Sequence, residues 1–168
     1  MKLTKAFLIS CYLLIGACSA YRVVLNDNVL YSPNGAPPPP SLLIDANFQG
    51  CLNQYLSTSD KNDPKEVTLL ACPSAGIQSL SGISALINLE QLELSDNAVS
   101  DLSPLLNLKK LRVLSLRNNR VTNVNALMSL PILRFVALQG NNVISCNQLD
   151  DLEKKIGNSL NRPSQCKN

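Results

Sequence analysis

No histidine occurs anywhere in the chain. That removes the usual general base, the Ser-His and Cys-His nucleophile pairs and most catalytic zinc sites, so chemistry would fall to carboxylates and thiols. Glu93, Asp96 and Asp101 stand close together in the sequence and would be the acid and base of a carboxylate enzyme. Asp96 and Asp101, however, occupy turn-like contexts in which an Asp side chain commonly bonds nearby backbone, and no enzyme is expected. The thiols are Cys11, Cys18, Cys51, Cys72, Cys146 and Cys166. None forms a Cys-x-x-Cys pair, which argues against a redox-active dithiol or a zinc site. No cofactor and no metal are expected, and the role of the cysteines depends on the frame that holds them.

That frame is a 22-residue pattern running four times from Val67 to Leu152 without insertion or deletion. Its apolar slots are filled by Val67, Leu89, Leu111 and Leu133, then Leu70, Leu92, Leu114 and Val136, then Cys72, Leu94, Leu116 and Leu138. Further on come Ile77, Val99, Val121 and Val143, then Leu80, Leu102, Val124 and Cys146, and two more rows ending on Leu86, Leu108, Leu130 and Leu152. A repeat of this length and form marks an α/β leucine-rich-repeat solenoid, in which stacking lines equivalent leucines into one apolar column and the ends need covering. Position nine holds Ala75, Asn97, Asn119 and Asn141. An Asn there has both donor and acceptor functions to satisfy backbone groups buried at a sharp turn. In the first unit, where Ala75 replaces it, a covering element should take over.

The run Leu92-Glu93-Leu94-Ser95-Asp96-Asn97-Ala98-Val99-Ser100-Asp101-Leu102-Ser103-Pro104-Leu105 resembles the bacterial repeats of the internalin type. The resemblance covers about half of the chain. It implies short parallel strands on a concave face, 3₁₀ or irregular turns on the convex face, a role in holding other macromolecules, and no catalytic residues. The four units here make a small arc beside the longer arrays common in that family.

Upstream of the repeats, residues 1–17 read as a secretory leader, with Lys2 and Lys5 ahead of a short apolar core from Ala6 to Ala17 that cannot span a bilayer. Two processings fit: cleavage after Ala20, or cleavage before Cys18 with acylation of that cysteine. Leu14-Ile15-Gly16-Ala17-Cys18 looks like a bacterial lipobox, which favours lipidation. With Ser19 and no Asp after the cysteine, resemblance to enterobacterial lipoproteins points to the outer membrane. Residues 18–44 include the four prolines Pro37 to Pro40 and read as a tether, extended where the prolines run. Arg22 to Leu25 and Val29 to Tyr31 are candidates for short strands, with a loosely ordered spacer the favoured state.

Residues 45–66 form the expected leading cap. Phe48, Cys51, Leu52, Tyr55 and Leu56 fall on one helical face, and Asp45 is a suitable N-cap. Residues 67–144 are the repeats and 145–168 the trailing cap, with a helix from Asn147 to Ile156 that carries Leu149, Leu152 and Ile156 and stops at Gly157. With Cys11 in the leader and Cys18 on lipid, four cysteines remain for two disulfides. Three solenoid units separate Cys72 from Cys146, well beyond bonding reach. Pairing each with its nearer cap gives Cys51–Cys72 and Cys146–Cys166, each pinning a cap onto a core slot. The alternative is four buried free thiols, which an exported protein disfavours.

Alternate strand residues must face outward. One column is Leu69, Gln91, Val113 and Phe135; beside it run Ala71, Glu93, Ser115 and Ala137, then Pro73, Ser95, Arg117 and Gln139. Leu69, Gln91, Glu93, Val113, Arg117, Phe135 and Gln139 are the expected partner-binding residues, with small neighbours leaving room for an incoming group. Against this, the caps could shield Leu69 and Phe135. Glu90 and Arg112 are expected to pair laterally. The 15 basic residues fall to 13 once Lys2 and Lys5 leave with the leader, against 12 acidic, a balance that argues against nucleic acid. The expected protein is a monomeric envelope lipoprotein whose repeat arc binds another protein. A scaffold component of an envelope complex, or a surface-exposed host-attachment protein, are the alternatives.

Overall fold

The computed structural model describes the backbone of residues 23–25 and 28–31, and residues 45–59 and 63–166 in full. The leader, Cys18 and the proline run lie outside the described residues. The chain divides into two units, 1–43 and 44–168. In the first, β1 (Val23–Leu25) and β2 (Asn28–Tyr31) pair antiparallel, Val24 opposite Val29. The two runs offered above as candidate strands therefore pair with each other, where a loose spacer was favoured.

In the second unit, each coil contributes one short strand. These are β3 (Leu69–Ala71), β4 (Gln91–Glu93), β5 (Val113–Ser115) and β6 (Phe135–Ala137), which run parallel and in sequence order. The register is the one that the repeat dictates, with Leu70, Leu92, Leu114 and Val136 side by side. All four are fully buried, because the middle residue of each strand points into the coil. On the opposite side of the coils stand 3₁₀ turns at Ile83–Ala85 and Ser103–Asn107 and one α-helical turn, α2 (Asn125–Met128). Every apolar slot of the first three coils is buried, and full burial of one such side chain contributes about 1.5–3 kcal/mol.

The fourth coil departs from the pattern. Val143, expected inside, is 76% exposed, and Ile144 is buried in its place. The Ile144 N–H closes a turn onto the Asn141 carbonyl (3.4 Å), which moves the inward position on by one residue. Cys146, also expected in a core slot, is exposed at the first turn of helix α3 (Cys146–Ile156). The chain has left the coil geometry by then.

Helix α1 (Ala46–Thr58) runs two residues further than expected and buries Phe48 and Leu52 in the same core as the coils. Cys51, Tyr55 and Leu56, partly buried on the same helix, pack against that core. Helix α3 buries Leu149 and Leu152 and ends at Gly157, whose N–H donates to the Glu153 carbonyl (2.7 Å) at φ 71°. After it, β7 (Leu160–Asn161) joins β6 in parallel. Sequence reading had only a tail there, since 24 residues separate the paired Val136 and Leu160 and the 22-residue register is lost. Among the described residues no helix is long and apolar enough to cross a membrane.

Candidate partner-binding face

The sheet face is held in shape by the asparagine row. Asn119 donates through Nδ2 to the carbonyls of Leu94 (2.8 Å) and Arg117 (3.1 Å), and its Oδ1 accepts from the Val99 N–H (2.9 Å). Asn141 repeats this one coil on, with Leu116 and Leu138 carbonyls and the Val121 N–H. Asn97 does so one coil back, reaching the Cys72 carbonyl and the Ile77 N–H. Each therefore ties its own turn to the coil before it. Just ahead of Ala75 and of each Asn lies a second row that sequence reading missed: Ser74, Asp96, Asn118 and Gly140, all at positive φ between 51° and 83°. Their spacing of 22 and their types, small or amide and carboxylate residues that tolerate the left-handed region, were the available signal.

The end elements supply what a missing neighbour coil would have supplied. Where Ala75 breaks the asparagine row, Asn47 of α1 donates to the Gly76 carbonyl (2.9 Å). Asp45 caps α1 through the N–H groups of Asn47 and Phe48, and its other oxygen accepts from Gln78 (2.8 Å) and Ser79 (3.0 Å). Burial works against its charge, but these four N–H donors outweigh that and hold the carboxyl below the usual value. Cys51 and Cys72 are disulfide-bonded with Cα atoms 6.0 Å apart, and Cys146 and Cys166 likewise at 5.4 Å. At the far end, Gln148 accepts from the Val124 N–H (3.0 Å), and Lys155 donates to the carbonyls of Leu127, Met128 and Leu130. Burial among them pushes its ammonium pKa down. Arg162 bridges Asp150 and Glu153 of α3, the first of these raising its pKa most.

The register sets the candidate residues in rows. Leu69, Gln91, Val113 and Phe135 are lateral neighbours, as are Ala71, Glu93, Ser115 and Ala137. Leu69 is 43% exposed, so α1 does not shield it; Gln91 is open, and Val113 and Phe135 are half-buried. The room expected beside them is smaller than the side-chain sizes suggested. Ser115 and Ala137 are buried, at 8% and 3% exposure, since short side chains sink between longer neighbours. In the third row Pro73 and Arg117 are exposed, and Ser95 and Gln139 half-buried. Ser95 and Ser115 share a hydroxyl hydrogen bond of 2.9 Å. The Gln139 Oε1 is buried without a hydrogen-bond partner among the described residues.

The three carboxylates are occupied locally. Glu93 accepts from the Ser95 N–H (2.7 Å), Asp96 from the Asn118 amide (2.8 Å), and Asp101 from the N–H and hydroxyl of Ser103. Glu90 and Arg112 do not form the expected ion pair. Among the described residues the ion pairs are Lys154–Asp151, Arg162–Asp150 and Arg162–Glu153, and Glu90 meets Arg112 through its carbonyl, which accepts the Arg112 N–H (2.8 Å). An exposed arginine and a half-buried glutamate at the entrances of adjacent strands gain too little at the surface to be held together. Arg117 is likewise in no ion pair.

No family model and no curated protein matches the chain. Among solved structures it is similar to an internalin (inlF) from Listeria monocytogenes, with 31% identity, a TM-score of 0.61, and coverage of 71% of this chain and 36% of that one. It is also similar to an internalin C2 (inlC2) from the same organism, with 29% identity, a TM-score of 0.53, and coverage of 58% and 46%. The chain thus spans less than half the length of either. Likeness at that level, reached by a chain whose own leucines and asparagines stack coil upon coil, settles the architecture: this is a leucine-rich-repeat protein, an α/β solenoid.

Proposed function

We propose that the chain is an envelope lipoprotein, held on a membrane through acylated Cys18, which binds a protein partner with the sheet face of its repeats. The observation that carries the binding role is the row Leu69, Gln91, Val113 and Phe135 across successive strands, three of the four apolar and none fully buried. Beside it stands Arg117, exposed and, among the described residues, in no ion pair. A largely apolar row flanked by an exposed arginine is the composition of an interface anchor. Engagement of Glu93, Asp96 and Asp101 with local partners supports a non-catalytic role. The leader and the cysteine that follows it support the anchor.

A photo-crosslinking residue placed in living cells at Val113 or Phe135 should yield an adduct with one partner, and one placed at Ser84 or Asn107, on the opposite side of the coils, should not. Phe135→Ala and Arg117→Glu should each cut capture of that partner at least tenfold while leaving the melting curve unchanged. Adducts confined to Ser84 and Asn107 would instead assign the contact to the other side. For the anchor, the chain should take up labelled palmitate and Cys18→Ser should not; equal labelling of both would refute acylation at that residue.

A further inference from the structure

We propose that the edge of the solenoid where each coil turns into its strand binds an anionic lipid surface. Successive strands are entered through Glu90, Arg112 and Arg134, and these residues are stacked: the Arg112 N–H donates to the Glu90 carbonyl (2.8 Å) and the Arg134 N–H to the Arg112 carbonyl (2.9 Å). Just before them in the sequence come Ile87, the pair Lys109 and Lys110, and Ile132. The Asn88 amide donates to the Lys65 carbonyl (2.8 Å), which brings Lys65 to the same edge. Lys65, Lys109, Lys110, Arg112 and Arg134 are all exposed, and among the described residues none is in an ion pair. The acidic residues at this edge are Glu66, Glu90 and Asp63, whose carboxylate accepts the Lys65 N–H (2.9 Å). In a chain whose charges otherwise nearly balance, this is a segregated basic strip.

Two isoleucines interrupt it, Ile87 at 48% and Ile132 at 37% exposure. The core does not need them, because Leu86, Leu89, Leu130 and Leu133 beside them are already buried. A soluble polyanion would have a use for the cations and none for the isoleucines. A protein partner is usually anchored by aromatic side chains seated in pockets, and none of the residues that make this edge is aromatic. Cations level with anionic headgroups and aliphatic side chains at the acyl boundary are what a lipid surface takes from a protein that lies on it. The edge is distinct from the sheet face, and the inference does not depend on acylation of Cys18.

The test uses the full chain carrying Cys18→Ser, so that no acyl chain contributes, mixed with vesicles of phosphatidylglycerol or of phosphatidylcholine and sedimented. The parent should partition to the anionic vesicles and be released by salt. Lys109→Gln with Lys110→Gln and Arg112→Gln should lower that partition roughly a hundredfold, and Ile87→Ser with Ile132→Ser roughly tenfold. All of these side chains are at the surface, and an unchanged circular dichroism melt confirms that each variant folds. Unchanged partition of the triple variant would put the binding on another part of the chain. Loss with the triple variant but none with the isoleucine pair would make the strip a general polyanion site. Either result overturns the proposal.

Discussion

Asn119→Ala tests the idea that each turn is held by one amide borrowed from the next coil. Asn119 is 8% exposed and makes three hydrogen bonds to backbone. The carbonyls it leaves behind keep other donors, since Asn97 Nδ2 also reaches Leu94 and the Asp96 N–H also reaches Arg117. The Val99 N–H has no second acceptor among the described residues and would be stranded. One stranded buried donor costs about 1–3 kcal/mol, and two weakened bonds add about 0.5 kcal/mol each or more, for a total of about 3 kcal/mol. For a domain of this size that lowers Tm by about 12 °C. The assay is a thermal melt beside exposed Asn107→Ala, which should move stability by less than about 0.5 kcal/mol. Asn119→Asp separates the two halves of the amide. It keeps the acceptor for Val99 but sets a carboxylate against the Leu94 carbonyl, so its folded pKa is raised above the unfolded value of about 3.9. The charge penalty is then absent below that value and complete above the folded one, so this variant should gain stability relative to wild type as pH falls from 7 to 4. A loss below about 1 kcal/mol for Asn119→Ala, or an Asp variant whose deficit does not change with pH, would refute the reasoning.

Two glycines should respond to alanine with opposite signs. At Gly140, φ is 83° and an added Cβ would lie 2.9 Å from the Asn118 Cα, so Gly140→Ala should cost about 2 kcal/mol or more by chemical denaturation. Gly50 lies within α1 with open space around its Cα, and Gly50→Ala should raise stability by roughly 0.5–1 kcal/mol; equal effects at both sites would contradict the left-handed turn. For Asp45 the folded carboxyl lies below its unfolded value. Its contribution is therefore fully present above an unfolded pKa of about 3.9 and is lost as pH falls through the lower folded one. Between pH 5 and 2 wild type should lose more stability than Asp45→Asn, and parallel curves would show that the four N–H bonds do not favour the charge.

Much of this architecture was legible because a stacked coil repeats its constraints. Leu92 and Leu114 meet because they are 22 residues apart, and the same spacing puts Glu93 beside Ser115 and Val113 beside Phe135. Asn97, Asn119 and Asn141 declared a buried turn in the same way. Reading failed where periodicity stopped. Val143 kept the spacing of a core residue while the turn at Asn141 handed its place to Ile144. β7 was invisible because helix α3 interposes before Leu160 returns to the sheet.

The sequence by itself therefore determined the coil, its register, its inward leucines and which columns face outward, since one periodic pattern answers all four. Tertiary structure decided what depends on neighbours across space. It showed that Ser115 and Ala137 sink below their surroundings, and that Asp45 serves two coil N–H groups more than thirty residues away. It also showed that, among the described residues, Glu90 and Arg112 share a backbone hydrogen bond and no ion pair. Burial, hydrogen-bond satisfaction and ion pairing are set by what surrounds a side chain, and at the two ends of a solenoid no repeat specifies those surroundings.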